Sequence, residues 1–279
     1  MSEPAPPDTT PAPPPTSPHR PPRTDRVRVP AKPRPMGVRL ALMVGGGIAL
    51  LAGLDAALLL LGVAAPVTTE RLASVHGMLM VLGFIGTVIA LERAVALGRT
   101  WGFASPALMG LGGIALISPI PLRTAGLLLM AATGLQAAIF IPLWQRRRDA
   151  AVLVQSLGTV SAFGAAILFT GGVATASFLP WLVGYVVLLI SGERMELARL
   201  GRSDDRAERA VLAGGVGLLA AIVLLLLFPG WAAPVLGLAL LAMVAALTNV
   251  DVARKMLRST GLPRFSAACL MAGYVWLTV

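Results

Sequence analysis

Two titratable residues lie inside long apolar stretches of this sequence and have the clearest capacity for chemistry. His76 lies in "SVHGMLMVLGFIGTVIALERAVALGR", residues 74–99, and Asp55 lies in the apolar stretch before it. Titratable groups within membrane-spanning segments are costly and are functional candidates by default. A neutral imidazole can ligate a metal, and a carboxylate behind it fixes the tautomer and raises the basicity of the ring. The two residues predict either a metal-ligating His76 supported by Asp55 or two polar groups that only satisfy each other.

Charged pairs mark the ends of two apolar stretches, in "LERAVALGR" and "GERMELARLGR". They are Glu92 with Arg93, and Glu193 with Arg194. About 24 Å of helix separates residue 92 from residue 76, so the two regions cannot share one site. Adjacent residues on a helix do not face each other, so we expect Glu92 to pair with Arg194 or another neighbour rather than with Arg93. We predict structural ion pairs between helix ends, with a proton pathway as the alternative.

The elements that must position these residues are long apolar helices. Hydrophobic residues make up 56% of the chain and charged residues 13%, whereas a soluble domain carries about 25% charged residues. Each long apolar run can cross a hydrocarbon layer of about 30 Å as a helix. We therefore expect an all-α fold, a polytopic membrane helix bundle of about eight to nine spans. The predicted spans are 38–63, 73–97, 102–118, 124–144, 150–172, 177–198, 208–228, 231–252 and 264–279.

Glycines are frequent in the first two predicted spans, and they include Gly45, Gly46 and Gly47 in the first and Gly83 in the second. Small residues let membrane helices approach each other closely. They also leave room for a flat cofactor, and the sequence does not separate these two uses.

The segments between the spans alternate in basic charge. The N-terminal tail and the loops after spans two, four, six and eight are rich in Arg, whereas the other loops contain only Arg71 and Arg123. The positive-inside rule then predicts a multi-pass protein of the bacterial inner membrane with a cytoplasmic N-terminus. His76 and Asp55 would lie in the outer half of the membrane. The net charge of +10 is explained by these loops, and we expect no nucleic-acid partner.

The two ends of the chain differ from the rest. Residues 1–36 are dense in Pro and poor in large apolar side chains, so they cannot bury enough surface to fold and are predicted to form a disordered Pro/Arg-rich cytoplasmic tail. In the alternative interpretation, the basic half of this tail lies on anionic lipid head groups. Residues 37–279 form the predicted transmembrane helical domain. It ends in "MAGYVWLTV" without a polar cap, which predicts a C-terminal truncation or, alternatively, a re-entrant or tilted terminal helix.

The segment "HGMLMVLGF" resembles the second helix of subunit I of haem-copper oxidases, in which a histidine near the outer face is an axial ligand of the low-spin haem. His76, Gly77 and Met80 match that motif. Together with the two charged helix ends, residues 38–279 resemble NnrS-type membrane proteins. These are bacterial haem- and copper-containing proteins linked to nitric oxide and nitrosative stress. The resemblance implies a haem site with His76 as the metal ligand and with Asp55 and Met80 beside it.

The sequence departs from that family in its histidines. NnrS-type proteins have about twelve spans and several intramembrane histidines, whereas only His76 is available here. A bis-histidine haem cannot form within one chain, and copper is not expected from this chain alone. A His/Met pair needs a methionine, although methionine in an apolar bundle usually only packs. The candidates are Met78, Met80, Met130, Met243 and Met271.

Three classes of function follow from these observations. The first is an integral membrane haem-binding protein of NnrS-like type, in a nitric oxide or respiratory stress response. The second is a small-solute or proton-coupled transporter with Asp55 and His76 as the titrating pair. The third is a cofactor-free structural membrane protein. Motifs for ATP, dinucleotide or hydrolytic chemistry are absent, and no redox active centre can be assembled, so an enzyme is not expected. The expected partners are the lipid bilayer and a second copy of the chain or a membrane redox partner.

Overall fold

All regular structure is helical in the part of the chain that this computed structural model describes, residues 36–199 and 205–278. Eight of the helices are long and apolar enough to cross a membrane. They correspond in order to the first eight predicted spans, so the predicted all-α, multi-pass membrane bundle is confirmed. The helices are α1 Met36–Leu60, α2 Glu70–Leu97, α3 Ala104–Ile117, α4 Leu122–Arg147, α5 Ala150–Thr170, α6 Thr175–Ala198, α7 Asp205–Leu227, α8 Ala233–Val250, α9 Ala253–Met256 and α10 Leu262–Trp276.

The predicted layout differs in detail at its two ends. The ninth predicted span, 264–279, corresponds to α10, which has 15 residues and follows the short helix α9. Helix α1 begins at Met36, at the predicted boundary between tail and transmembrane domain. The disordered tail predicted for residues 1–36 lies, up to residue 35, outside the described residues.

Two buried apolar clusters hold the helices together. The first joins α1 to α6 and includes Met78, Met109 and Leu182, and the second joins α5, α6, α7, α8 and α10 and includes Leu188 and Met243. Helices α5 and α6 contribute to both clusters and form the centre of the bundle.

The outward faces of the helices are also apolar. Leu51, Leu111, Ile141 and Leu238 each have at least half of their surface exposed. Exposing so much apolar surface to water would be unfavourable, whereas the hydrocarbon chains of lipids are themselves apolar. The outer surface of the bundle therefore contacts the lipid bilayer.

Glycines bring α1, α2 and α3 into backbone contact. A methyl group added to Gly45 of α1 would lie 2.8 Å from the Cα atom of Gly110 of α3. One added to Gly83 of α2 would lie 2.9 Å from the Cβ of Ala49 of α1 and 3.4 Å from the Cα of Gly113 of α3. A side chain at these positions would push the helices apart, so the predicted close approach of glycine-bearing helices is present here.

The middle of α2 is not α-helical. Residues Leu79–Gly86 form a π-helical segment between two α-helical parts, Glu70–Met78 and Thr87–Leu97. Wide turns of this kind occur mostly as single-turn bulges and frequently lie at functional sites. His76 lies one turn before this segment.

The end of α3 receives its hydrogen bonds from a neighbouring helix. Arg71, in the first turn of α2, donates from Nε to the carbonyl of Leu116 at 2.8 Å and from Nη2 to the carbonyls of Ala115 and Ile120 at 3.2 and 2.7 Å. The last carbonyls of a helix have no partner within the helix. A single guanidinium satisfies three of the carbonyls at this end.

Candidate functional site

The imidazole of His76 is held by the backbone of α1. Its Nδ1 lies 2.9 Å from the carbonyl oxygen of Gly53, and the side chain is half-buried. A carbonyl oxygen only accepts hydrogen bonds, so in the neutral ring Nδ1 carries the hydrogen and Nε2 keeps its lone pair. Among the described residues this is the only hydrogen bond of the ring. The geometry fixes the tautomer in which Nε2 can act as a metal ligand.

Asp55 does not support His76 as expected. Its Oδ2 accepts a hydrogen bond from the backbone N–H of Val67 at 3.1 Å, in the loop between α1 and α2. Its Oδ1 is buried without a hydrogen-bond partner among the described residues. Residues 53 and 55 are about 200° apart around a helix of 3.6 residues per turn, so only one of them can face α2 directly. The predicted hydrogen bond between His76 and Asp55 is therefore replaced by the bond to the Gly53 carbonyl.

Met80 lies one turn after His76 on α2. Its sulfur packs against Gly53, in the space that a Cβ atom on Gly53 would take. Both side chains thus leave the same face of one helix toward the same residue of α1. His76 and Met80 would therefore not serve together as the two protein ligands of one haem. Of the other methionines, Met78 and Met243 are buried in the first and second apolar clusters.

The His76 region therefore fits a haem in one respect and departs from it in another. It offers one imidazole whose free nitrogen is fixed by a backbone carbonyl. Among the described residues, it offers no second side chain placed to hold the same haem.

A second group of polar residues lies at the other end of α2. We call this the arginine-rich end, because the ends of α2, α4 and α6 and the segments that follow them carry Arg99, Arg146, Arg147, Arg148 and Arg199. Arg93, whose side chain is 8% exposed, lies among three carboxylates at this end. Its Nη2 is 2.9 Å from Glu92 and 3.5 Å from Glu193, and its Nη1 is 3.5 Å from Glu196. The predicted ion pairing between helix ends is present, but its partners differ.

The expectation that Glu92 pairs with Arg194 or another neighbour, and not with Arg93, is wrong. Glu92 pairs with the adjacent Arg93, because both side chains are long enough to meet beyond the helix surface although their Cβ atoms diverge. Arg194 instead donates to both oxygens of Asp251, from Nε at 3.1 Å to Oδ2 and from Nη2 at 3.0 Å to Oδ1. It thus ties α6 to the end of α8.

The sequence prediction missed the residues around Asp251. This carboxylate also accepts from the hydroxyl of Tyr274 at 2.6 Å and from the N–H of Ala253 at 2.8 Å. Burial alone would raise the pKa of Asp251, but the hydrogen bonds from Arg194 and Tyr274 hold that pKa below its ordinary value. The one local signal was an acidic residue two positions before a short helix, a spacing typical of a cap.

Neutral polar side chains inside the bundle were also missed. Gln136 of α4 and Tyr185 of α6 are fully buried and hydrogen-bonded at 3.1 Å. Gln155 of α5 is fully buried, and its amide nitrogen and oxygen find no partner among the described residues. Polar residues of this kind stabilise the packing of membrane helices by hydrogen bonds between helices. Nothing in their spacing distinguished them from polar residues on a helix surface.

Comparison with known proteins gives a family without an assigned activity. The family model described as "Domain of unknown function (DUF8744)" matches residues 39–279, and the chain belongs to this family. No curated protein and no solved structure matches the chain. The fold and the eight apolar helices make it an integral, multi-pass membrane protein.

Proposed function

We propose that this member of the DUF8744 family is a haem-binding integral membrane protein of NnrS-like type, with His76 as the axial ligand. The observation that carries the proposal is the 2.9 Å hydrogen bond from Nδ1 to the carbonyl of Gly53. Histidines that ligate metals almost always donate their other ring N–H to a carboxylate, a backbone carbonyl or water, which fixes the tautomer and the ring orientation. The carbonyl of Gly53 has the role that the sequence had suggested for Asp55.

One protein ligand is compatible with a role in sensing or relaying small molecules. When bound, haem supplies an iron that exchanges electrons and binds diatomic ligands. His76 would hold the haem, and a second ligand would come from an exogenous molecule, from a second copy of the chain or from a redox partner. The first arrangement suits a nitric oxide or respiratory stress response. The transporter alternative depended on a titrating Asp55–His76 pair, and these residues hydrogen-bond to other groups.

The test is an absorption spectrum of the protein purified in detergent after expression with added haem. We expect a Soret band in the parent and its loss in His76→Ala, because the ligand is removed. Membrane insertion should be unchanged, because one half-buried imidazole contributes little to the bundle. Met80→Leu is the matched control, and it should keep the band because the sulfur packs against Gly53. A colourless parent, or a band that survives in His76→Ala, would overturn the proposal.

We also propose the bacterial inner membrane and a cytoplasmic N-terminus, which places His76 in the outer half of the membrane. The support is the concentration of arginines at one end of the bundle, since cytoplasmic loops carry an excess of Lys and Arg. Topology reporters fused after residues 66 and 148 should be active as periplasmic and cytoplasmic, respectively. The reverse pattern would place His76 on the cytoplasmic side.

A further inference from the structure

A polar cavity lies at the arginine-rich end, far from His76. Its volume is about 310 Å³, and it opens where α2, α4 and α6 end. Two glutamates, Glu92 and Glu196, three arginines and a few apolar side chains line it. We propose that it binds a small zwitterionic group, a primary ammonium joined by a short linker to a phosphate, as in the head group of phosphatidylethanolamine.

Charged residues of both signs line the cavity. Carboxylates outnumber the guanidinium around Arg93, which faces Glu92, Glu193 and Glu196. Arg146 and Arg147 of α4 form no ion pair with any described residue. Arg146 donates only to the backbone carbonyl of Leu97, at 3.1 Å. The lining therefore presents unneutralised charges of both signs, which matches a ligand that carries both signs and no net charge.

Two arginines without an ion pair point to the phosphate. Arg146 and Arg147 line the cavity, and no described carboxylate pairs with either of them. Arg93 is not free to join them, because its terminal nitrogens already face glutamates and its Nε is buried. A phosphate would accept charge-assisted hydrogen bonds from the guanidinium groups of Arg146 and Arg147.

The surplus of carboxylates points to the ammonium. Glu92 and Glu196 line the cavity, and the single guanidinium of Arg93 cannot neutralise both together with Glu193. An ammonium has three donors and no acceptor, so it can bond two carboxylates at once. A quaternary ammonium has no N–H donor and would lose these bonds. The site should therefore distinguish phosphatidylethanolamine from phosphatidylcholine.

The location favours a lipid as the source of this group. The lining residues of α2, α4 and α6 all lie within the last six positions of their spans, which is the level of the head groups at a membrane boundary. Leu143 and Val152 add an apolar part to the wall, suited to the glycerol end of a lipid. A free phosphoethanolamine has the same head-group chemistry without the acyl chains.

The experiment uses the full chain, delipidated in detergent, and measures its unfolding temperature with added lipid in mixed micelles. Phosphatidylethanolamine should raise that temperature by about 5 °C or more at a hundredfold excess over Kd. Phosphatidylcholine, which lacks N–H donors, and phosphatidylglycerol, which lacks the cation, should have little effect. If free phosphoethanolamine also raises the unfolding temperature, the result supports the site, and a soluble molecule can then be the source of the zwitterionic group. An equal shift with phosphatidylglycerol would overturn the proposal, because the site would then recognise only an anion.

Variants test whether the shift comes from this cavity. The double variant Arg146→Gln with Arg147→Gln should lose the shift. The control Arg99→Gln with Arg258→Gln removes the same charge from exposed arginines that do not line the cavity, and it should keep the shift. The single change Arg147→Gln should reduce the shift and serves if the double variant does not fold. A shift that survives in the folded Arg146/Arg147 variant would overturn the proposal.

Discussion

Asp251→Ala is expected to lower the free energy of unfolding by about 3–5 kcal/mol, the usual cost of removing one partner from a buried ion pair. The carboxylate is almost fully buried and accepts bonds from Arg194, Tyr274 and the N–H of Ala253. Its loss leaves a partly buried guanidinium and a buried hydroxyl without an acceptor. Equilibrium unfolding of the purified protein in mixed micelles measures the effect. Asp205→Ala, at an exposed acidic residue, is the control, and an equal loss in both variants would contradict the role of the cluster.

The same cluster predicts a pH dependence. The pKa of Asp251 is lower in the folded protein than its ordinary value because of Arg194 and Tyr274, although burial opposes this. Its contribution to stability is therefore fully present above the unfolded pKa of about 3.9 and is lost as the pH falls through the folded value. Unfolding free energy measured from pH 7 to pH 2 should fall more in the parent than in Asp251→Asn. Parallel curves for the two proteins would rule out this contribution.

Gly45→Ala is expected to destabilise the bundle by about 1–3 kcal/mol, and Gly45→Leu by more, because overpacking forces the backbone to move. The new methyl group would lie 2.8 Å from the Cα atom of Gly110, and a backbone atom cannot rotate away as a side chain can. Helices α1 and α3 would have to separate. Thermal unfolding in detergent measures the loss.

Gly47 provides a matched control two residues away in the same run of glycines. A methyl group there meets nothing within 4 Å, and Ala is favoured over Gly in a helix by roughly 0.5–1 kcal/mol. Gly47→Ala should therefore be neutral or slightly stabilising. If Gly45→Ala behaves like Gly47→Ala, the contact between α1 and α3 does not contribute to stability as described.

The fold was predictable because it depends on local features of the sequence. The length of an apolar run decides whether a helix can cross a membrane, so eight helices could be placed without any knowledge of their packing. The π-helical segment in α2 was not foreseen, because nothing in the residues 79–86 breaks an α-helical pattern. The backbone contact of Gly45 with Gly110 required knowing which helices are neighbours.

The site was predictable only in its residue types. His76 could be singled out because a histidine in an apolar stretch is rare. Its hydrogen-bond partner could not be predicted, because every residue has a backbone carbonyl and nothing in the sequence singles out that of Gly53. The bond between Arg194 and Asp251 joins residues 57 positions apart and exists only because the end of α8 packs beside α6. A pair between the adjacent Glu92 and Arg93 was excluded because helix geometry points their Cβ atoms apart. The pair forms nevertheless, because both side chains are long enough to meet.

The bonds from Arg71 to the end of α3 have a consequence for the hydrophobic thickness of the protein. Helix α3 has 14 residues and follows a four-residue 3₁₀ turn, so it is about 29 Å long, whereas the 26 residues of α4 give about 39 Å. A hydrocarbon layer of about 30 Å leaves α3 no overhang that would carry its last carbonyls into the head groups. Arg71 supplies N–H donors at that depth in place of water. The α3 side of the bundle therefore matches thin membranes, and a thicker bilayer would have to thin around it.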